Sequence, residues 1–312
     1  MYPLKFIPIY FEKIWGGRGL KALKSFLPKG NIGESWEVSS HKNGPSVITN
    51  GNYAGLTLKE LIDLDKNKVL GADFEEEDFP LLLKFISANK KLSVQVHPGD
   101  DYARKEENEK GKTEAWYVIE AAEGANLIIG TENCTKNEFI KGIKEGRLDK
   151  HLKKVFVNKG DVFFIESGLI HAIGPGVVLL EIQQSSDVTY RVYDYNRGRE
   201  LHVKKALDVI NLGLTSKSIE GKRTLNEKYE KIEYINCKYF ALEEYDIFES
   251  MEDDTRGKEF FIYSCIEGKG KIVYSKGEES IMKGESILIP SSLGGVSVLG
   301  RLKVIKTYVP SP

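Results

Sequence analysis

At 312 residues, with 41% apolar and 29% charged side chains, the chain has the make-up of a soluble globular protein long enough for about two domains. A formal charge of −1 sets up no global field toward nucleic acid or an anionic membrane, so neither is expected as a partner and any anionic ligand must be gripped by a few local cations. Three scattered cysteines, Cys134, Cys237 and Cys265, without C-x-x-C spacing argue against a disulfide framework and a thiolate metal site, and no apolar run approaches the ~18 residues of a membrane span.

The first segment lacks a basic stretch followed by an apolar one, so no secretion signal is read and the expected location is the cytoplasm. Residues 1–56 hold short β-prone runs, F-I-P-I-Y-F, S-W-E-V-S-S and S-V-I-T, broken by Gly16–Gly17 and by Asn43–Gly44–Pro45. Thr57 and Glu60 form a capping-box pattern ahead of Leu58, Leu61, Ile62 and Leu64, which predicts a short helix over about 57–66, ended by the acidic stretch 73–78. Strand character returns in P-L-L-L-K-F-I, L-S-V-Q-V, A-W-Y-V-I-E and A-N-L-I-I-G. The charged run 100–112 between the second and third of these reads as a solvated loop, Lys112 excepted. Phe139, Ile143, Leu148 and Leu152 predict a helical insertion over 135–153, and Val203, Ala206, Leu207 and Ile210 a closing helix over about 201–212. Residues 214–230 are expected to be a linker, giving a domain at 1–213 and a second, β-rich one at 231–312.

The final segment echoes the first. Glu123–Gly124 can be laid over Glu267–Gly268 and Gly160–Asp161 over Gly284–Glu285. Many short strands with such turns, twice over, suit a mainly β double-stranded β-helix, a jelly-roll of two barrels with a small helical insertion. On that alignment Glu114 falls on Lys258 and His171 on Gly295.

In K-L-S-V-Q-V-H-P, strand alternation puts Ser93, Gln95 and His97 on one face and Val94 and Val96 on the other. Glu114 follows after a polar excursion, and His171 ends a later apolar strand. Two imidazoles, a carboxylate and an amide oxygen suit Zn²⁺, one per chain, with an open position for water or substrate. The second copy lacks these groups. A lone strand histidine is usually a hydrogen-bonded core residue, so the weight rests on the combination.

With these motifs the chain resembles the type I phosphomannose isomerases, above all their short bacterial form. The resemblance implies a bicupin fold and interconversion of mannose 6-phosphate with fructose 6-phosphate. It implies Gln95, His97, Glu114 and His171 as zinc ligands. E-I-Q-Q-S-S-D-V-T-Y-R resembles the family signature after the last ligand, with Glu181, Asp187 and Arg191 at matching positions; G-E-S-W carries Glu34 and Trp36, and P-L-L-L-K carries Lys84. Arg197 stands where longer members have a lysine.

On this reading Glu181, Asp187, Lys112 and Glu34 are the possible proton carriers, and Arg191 steadies the enediolate. Ser93, Lys84, Glu34, Arg197 and Trp15 would contact the sugar phosphate, with Trp36 and Trp116 as further wall residues. A monomer or homodimer is expected. A metal-dependent oxygenase on the same barrel, a glucose 6-phosphate isomerase and a non-catalytic sugar-binding bicupin stay open.

Overall fold

The computed structural model describes residues 1–310. Two antiparallel sheets face each other in the N-terminal barrel. One has six strands, in the order Val162–Ile165, Glu114–Ala121, Val177–Gln184, Leu81–Ala88, Ile32–Ser39 and Ile9–Gly17. The other has five, Tyr190–Tyr193, Val94–Val96, His171–Ile173, Asn126–Thr131 and Leu152–Phe156.

Both faces of the six-stranded sheet are covered, and for that reason L-L-L-K-F-I-S-A and V-V-L-L-E-I-Q-Q are buried throughout their length. Alternation sorts the two faces. Ile86, Trp116, Val118, Val177 and Leu179 fill the barrel, while Leu83, Phe85, Tyr117, Leu180 and Ile182 face outward into a second core. That outer core is shared with Leu242, Ile262, Leu288 and Ile305 of the C-terminal sheet and with Leu58, Leu61, Ile62 and Val69 of the helix Leu58–Val69. The two barrels therefore meet across an apolar layer.

The C-terminal sheet has ten strands and its own interior core, built on Phe261, Tyr263, Cys265, Ile287 and Val304. It repeats the N-terminal hairpin closely. Gly160 and Gly284 sit at φ of +90° and +87°, values an L side chain rarely adopts, and each donates its N–H across the ladder, to Val118 O and Cys265 O, at 2.8 Å. Asp161 and Glu285 each accept the N–H of the residue three before, Asn158 at 2.7 Å and Met282 at 3.0 Å.

This register corrects the sequence alignment. Ile165 pairs with Glu114 as Ile289 pairs with Phe261, so Glu114 corresponds to Phe261 and not to Lys258. Both copies bulge at the same place, after Val118 and after Cys265, so Glu267 answers to Glu120, and matching it with Glu123 displaces the alignment by three residues.

Other expectations shift as well. Thr57 and Glu60 do form a capping box, and so do Thr135 and Glu138 ahead of the helix Lys136–Lys144; Gly146 at φ +64° follows, and a strand already begins at Leu152. The closing helix is Val203–Val209. The run at 100–112 is a helix over Asp100–Glu107, with acids in its first turn and basic residues in its last; apart from Tyr102 only Ala103 gives it an apolar contact, so periodicity did not reveal it. The linker at 214–230 contains the strand Lys222–Leu225, paired with Tyr229–Asn236; its side chains are exposed, so it is held by backbone pairing. The division at 213 also fails at the start of the chain. Leu4–Ile7 pairs with Ser286–Ile289 and thus belongs to the C-terminal sheet.

Candidate active site and metal centre

The barrel interior is polar at one end only. Along three adjacent strands the inward positions run from Lys84 to Ile86, from Glu114 through Trp116 to Val118, and from Glu181 to Leu179, with the polar residue at the same end each time. The facing sheet supplies Gln95 and His171, directly paired across its ladder, and His97 just past the strand end. His97, Glu114 and His171 are buried and offer ligand atoms within 4.8 Å of one another.

Their hydrogen bonding shows what the cluster needs. His97 turns Nδ1 to Val188 O at 2.8 Å and His171 turns Nδ1 to Leu169 O at 2.9 Å. Each Nδ1–H then donates to a carbonyl, which leaves the two Nε2 atoms 3.1 Å apart with lone pairs facing the same space. Glu114 lies in that space, with Oε1 3.3 Å from His97 Nε2 and Oε2 3.9 Å from His171 Nε2, and neither oxygen has an aligned hydrogen-bond donor. Orphaned acceptors aimed at one point fit a divalent cation. The Gln95 side-chain amide, 3.3 Å from His171 Nε2, borders the same point.

Charge is arranged around the cluster. Burial alone pushes the Glu114 carboxyl up, but the Lys112 ammonium, 2.5 Å away, and then His97 outweigh it and hold it well below the usual carboxylate range. Burial lowers His97, with Lys112 adding to it, and burial with His97 alongside lowers His171 to about 3, so both rings are neutral. Burial opposes the Lys112 charge, yet Glu114 and then Glu181 overcome it and keep the amine more basic than an ordinary lysine.

Glu181 goes the other way. Burial first and the Glu114 charge second raise its pKa, although Lys84 lies 3.3 Å off and the Trp116 indole N–H donates to it at 2.9 Å. In Glu34, burial is outweighed by Lys13, at 3.0 Å, and by Lys84; in Asp187, it is outweighed by Lys84 and the Asn43 amide. Both of those carboxyls are held low.

A cavity of about 310 Å³ opens over this wall, at the small end of the range for small-molecule sites. Trp15, Glu34, Lys84, Ser93, Gln95, Lys112, Glu181, Asp187 and Arg191 all line it. Arg191 donates Nε–H to Ser93 Oγ at 3.2 Å and an NH1 hydrogen to Glu200 O at 2.9 Å. Burial and the neighbouring Arg199 charge both lower the Arg191 pKa, a repulsion that an anionic ligand would relieve.

Arg197, expected in the site, does not line the cavity. It donates to Asp194 and to Lys91 O and stacks on Tyr195 5.4 Å from the ring centre. Arg199 takes its place on the cavity wall, with Nε–H on Asp194 Oδ2 at 2.9 Å. Lys13 and Thr189 also line the cavity and went unnamed in the sequence. Lys13 had a signal: it stands two residues before Trp15 on a β-prone run and so shares its face. Nothing separates Arg199 from Arg197 in N-R-G-R. Trp36 is buried beneath the site, donating to Glu34 at 2.9 Å with Lys84 over its ring, and Trp116 touches the edge of His171.

A jelly-roll barrel with buried His, Glu and His converging at the polar end of its interior, backed by a second barrel, defines a bicupin with a metal-binding centre. Residues 4–129 match the family model for the catalytic domain of type I phosphomannose isomerase, and residues 230–309 that for the cupin domain of mannose-6-phosphate isomerase. Over 98% of its length the chain is 39% identical to the mannose-6-phosphate isomerase ManA of Bacillus subtilis, covering 99% of that protein, and over 95% it is 36% identical to the mannose-6-phosphate isomerase of Streptococcus mutans, covering 95% of it. The crystal structure of the mannose 6-phosphate isomerase from Bacillus subtilis superposes with a TM-score of 0.93 at 33% identity, covering 98% of this chain and 99% of the other. The chain belongs to the type I phosphomannose isomerases and is an isomerase, which sets aside the oxygenase and the non-catalytic sugar binder. Among the described residues no helix is long and apolar enough to cross a membrane.

Proposed function

We propose that the protein interconverts mannose 6-phosphate and fructose 6-phosphate at the cavity above His97, Glu114 and His171, with one Zn²⁺ per chain held by these residues and Gln95. The observation that carries this reading is the convergence of the His97, Glu114 and His171 ligand atoms, with neither Glu114 oxygen aligned on a donor, next to a cavity lined by Gln95, Lys112, Glu181, Arg191 and Arg199. When bound, the ion supplies Lewis-acid stabilisation of negative charge on the sugar oxygens.

The chain's own residues divide the remaining work. Moving a proton between C2 and C1 through an enediol needs a group that both takes and releases it near neutral pH. Glu114 is committed to the metal, and Glu34 and Asp187 are held low by lysines. Lys112 is held charged and suits donation to a sugar oxygen. Glu181 is the cavity carboxyl raised toward neutrality, so it is assigned as the proton carrier, with Trp116 and Lys84 fixing its orientation. Arg191, Arg199 and Ser93 form the cationic end that suits the phosphate.

The test is the rate of fructose 6-phosphate formation from mannose 6-phosphate by the protein as isolated, after chelation and after Zn²⁺ is restored, with glucose 6-phosphate in parallel. Turnover should vanish with the metal and return with zinc, and Glu181→Gln should lower kcat by roughly 10² to 10⁴. A fully metallated protein that does not turn over mannose 6-phosphate would defeat the reading.

A further inference from the structure

Among the described residues the C-terminal barrel puts no side chain into the cavity, yet it is connected to the backbone on both sides of Lys112. Between the end of the helix Asp100–Glu107 and the strand that begins at Glu114, the chain has no regular structure, so nothing in a ladder or helix fixes its amides. Three consecutive amides are fixed individually instead. Gly111 N–H donates to Asp100 Oδ1 at 3.0 Å, Lys112 N–H to Pro98 O at 3.0 Å, and Thr113 N–H to the Gln184 side-chain Oε1 at 2.9 Å.

The two side chains that hold the outer amides are themselves joined, since Gln184 Nε2 donates to Asp100 Oδ1 at 2.9 Å. The other oxygen of Asp100 accepts the hydroxyl of Tyr239, from the C-terminal barrel, at 2.7 Å. The approach at Gly111 is as close as glycine permits: a Cβ there would lie 2.6 Å from Asp100 N and 2.8 Å from Asp100 Oδ1. Burial raises the Asp100 pKa, but the donors from Tyr239, Gln184 and Gly111 outweigh it, so the carboxylate is ionised and the bonds are charge-assisted.

We propose that Tyr239, acting through Asp100 and Gln184, is a positioning residue that fixes Lys112 and Glu114, so that the C-terminal barrel completes the active site without touching it. The inference rests on the roles given to Lys112 and Glu114 above. It also gives the barrel without metal ligands a function that an apolar interface alone does not explain. Displacing a reacting group by about 1 Å can cost on the order of a hundredfold in rate, so one clamp on a segment without regular structure matters to catalysis.

Full-length, zinc-loaded Tyr239→Phe is compared with Tyr117→Phe, whose lost hydroxyl also bridges the barrels, to Glu244 at 2.9 Å, but on the sheet face away from the cavity. Tyr239→Phe should lower kcat about fivefold to tenfold with KM within about twofold, the size of one hydrogen bond. It should also speed chelator-driven zinc release severalfold, because Asp100, which holds the Gln184 amide that pins the residue before Glu114, loses its own anchor. Tyr117→Phe should match the wild type in kcat and in zinc release. Unchanged kcat and zinc release in Tyr239→Phe overturn the inference, and so do equal losses in both variants, which would mean general loosening of the interface. If the wild type holds zinc but does not turn over mannose 6-phosphate, it is the functional reading that has failed, and zinc release still decides the clamp.

Discussion

The two barrels use the same ladder positions in opposite ways. Register places Glu181 opposite Trp116 in one and Lys306 opposite Tyr263 in the other, and the next strand brings Lys84 to Glu181 as it brings Glu243 to Lys306, so acid and base have exchanged seats. In the C-terminal barrel the polar groups satisfy one another. Lys306 and the Tyr263 hydroxyl both reach Asp253 at 2.6 Å, while Glu243 takes Tyr245 at 2.9 Å, Tyr308 at 3.2 Å and Lys231 at 2.9 Å. Phe261 fills the seat of Glu114. In the N-terminal barrel the same interior is left incomplete: neither Glu114 oxygen has an aligned donor, and the two imidazole Nε2 atoms face each other at 3.1 Å, with the Lys112 ammonium 3.2 Å from one and the Gln95 amide 3.3 Å from the other. A jelly-roll can thus carry buried charge as a closed network; where the network is open, the missing partner is a ligand.

The largest test of that contrast gives the first barrel the residue of the second. Glu114→Phe should abolish zinc binding and cut turnover on the order of a hundredfold or more, leaving near-ultraviolet dichroism native. Stoichiometric zinc in this variant would show that the open network is not the metal site.

The arginine loop is a smaller difference, with its own expected result. Arg199→Ala should raise KM for the sugar phosphate about tenfold, the cost of one charged hydrogen bond, whereas Arg197→Ala, already committed to Asp194 and Lys91, should move it less than about threefold. The reverse order in steady-state kinetics would return Arg197 to the phosphate site.

At the other end of the scale, Lys306→Met opens the closed network. It should lower stability by about 2 kcal/mol in urea titration by leaving the partly buried Asp253 with the Tyr263 hydroxyl but without its cation, with kcat/KM within about twofold of wild type. A large loss of activity without loss of stability would mean that the second barrel takes part in the chemistry.

Much of this was legible in the chain. Alternation alone put Ser93, Gln95 and His97 on one face, and they line the interior together with Glu114 and His171. Thr57 and Glu60 announced a helix that forms with its capping box intact. What stayed hidden lacked a periodic signal. The helix Asp100–Glu107 and the strand Lys222–Leu225 are too polar to show a buried face, and the first strand, Leu4–Ile7, gives no sign that its partner lies some 280 residues away.

The sequence by itself determined which residues share a face, because side-chain direction in a strand depends only on parity. It could not determine which face of the six-stranded sheet encloses the site, since both faces are buried and read equally apolar. Nor could it choose Arg199 over Arg197, or bring Tyr239 to Asp100, 139 residues apart in the chain. Those outcomes depend on register between strands and on how one barrel docks on the other, and such long-range pairings leave no local trace in the residues that make them.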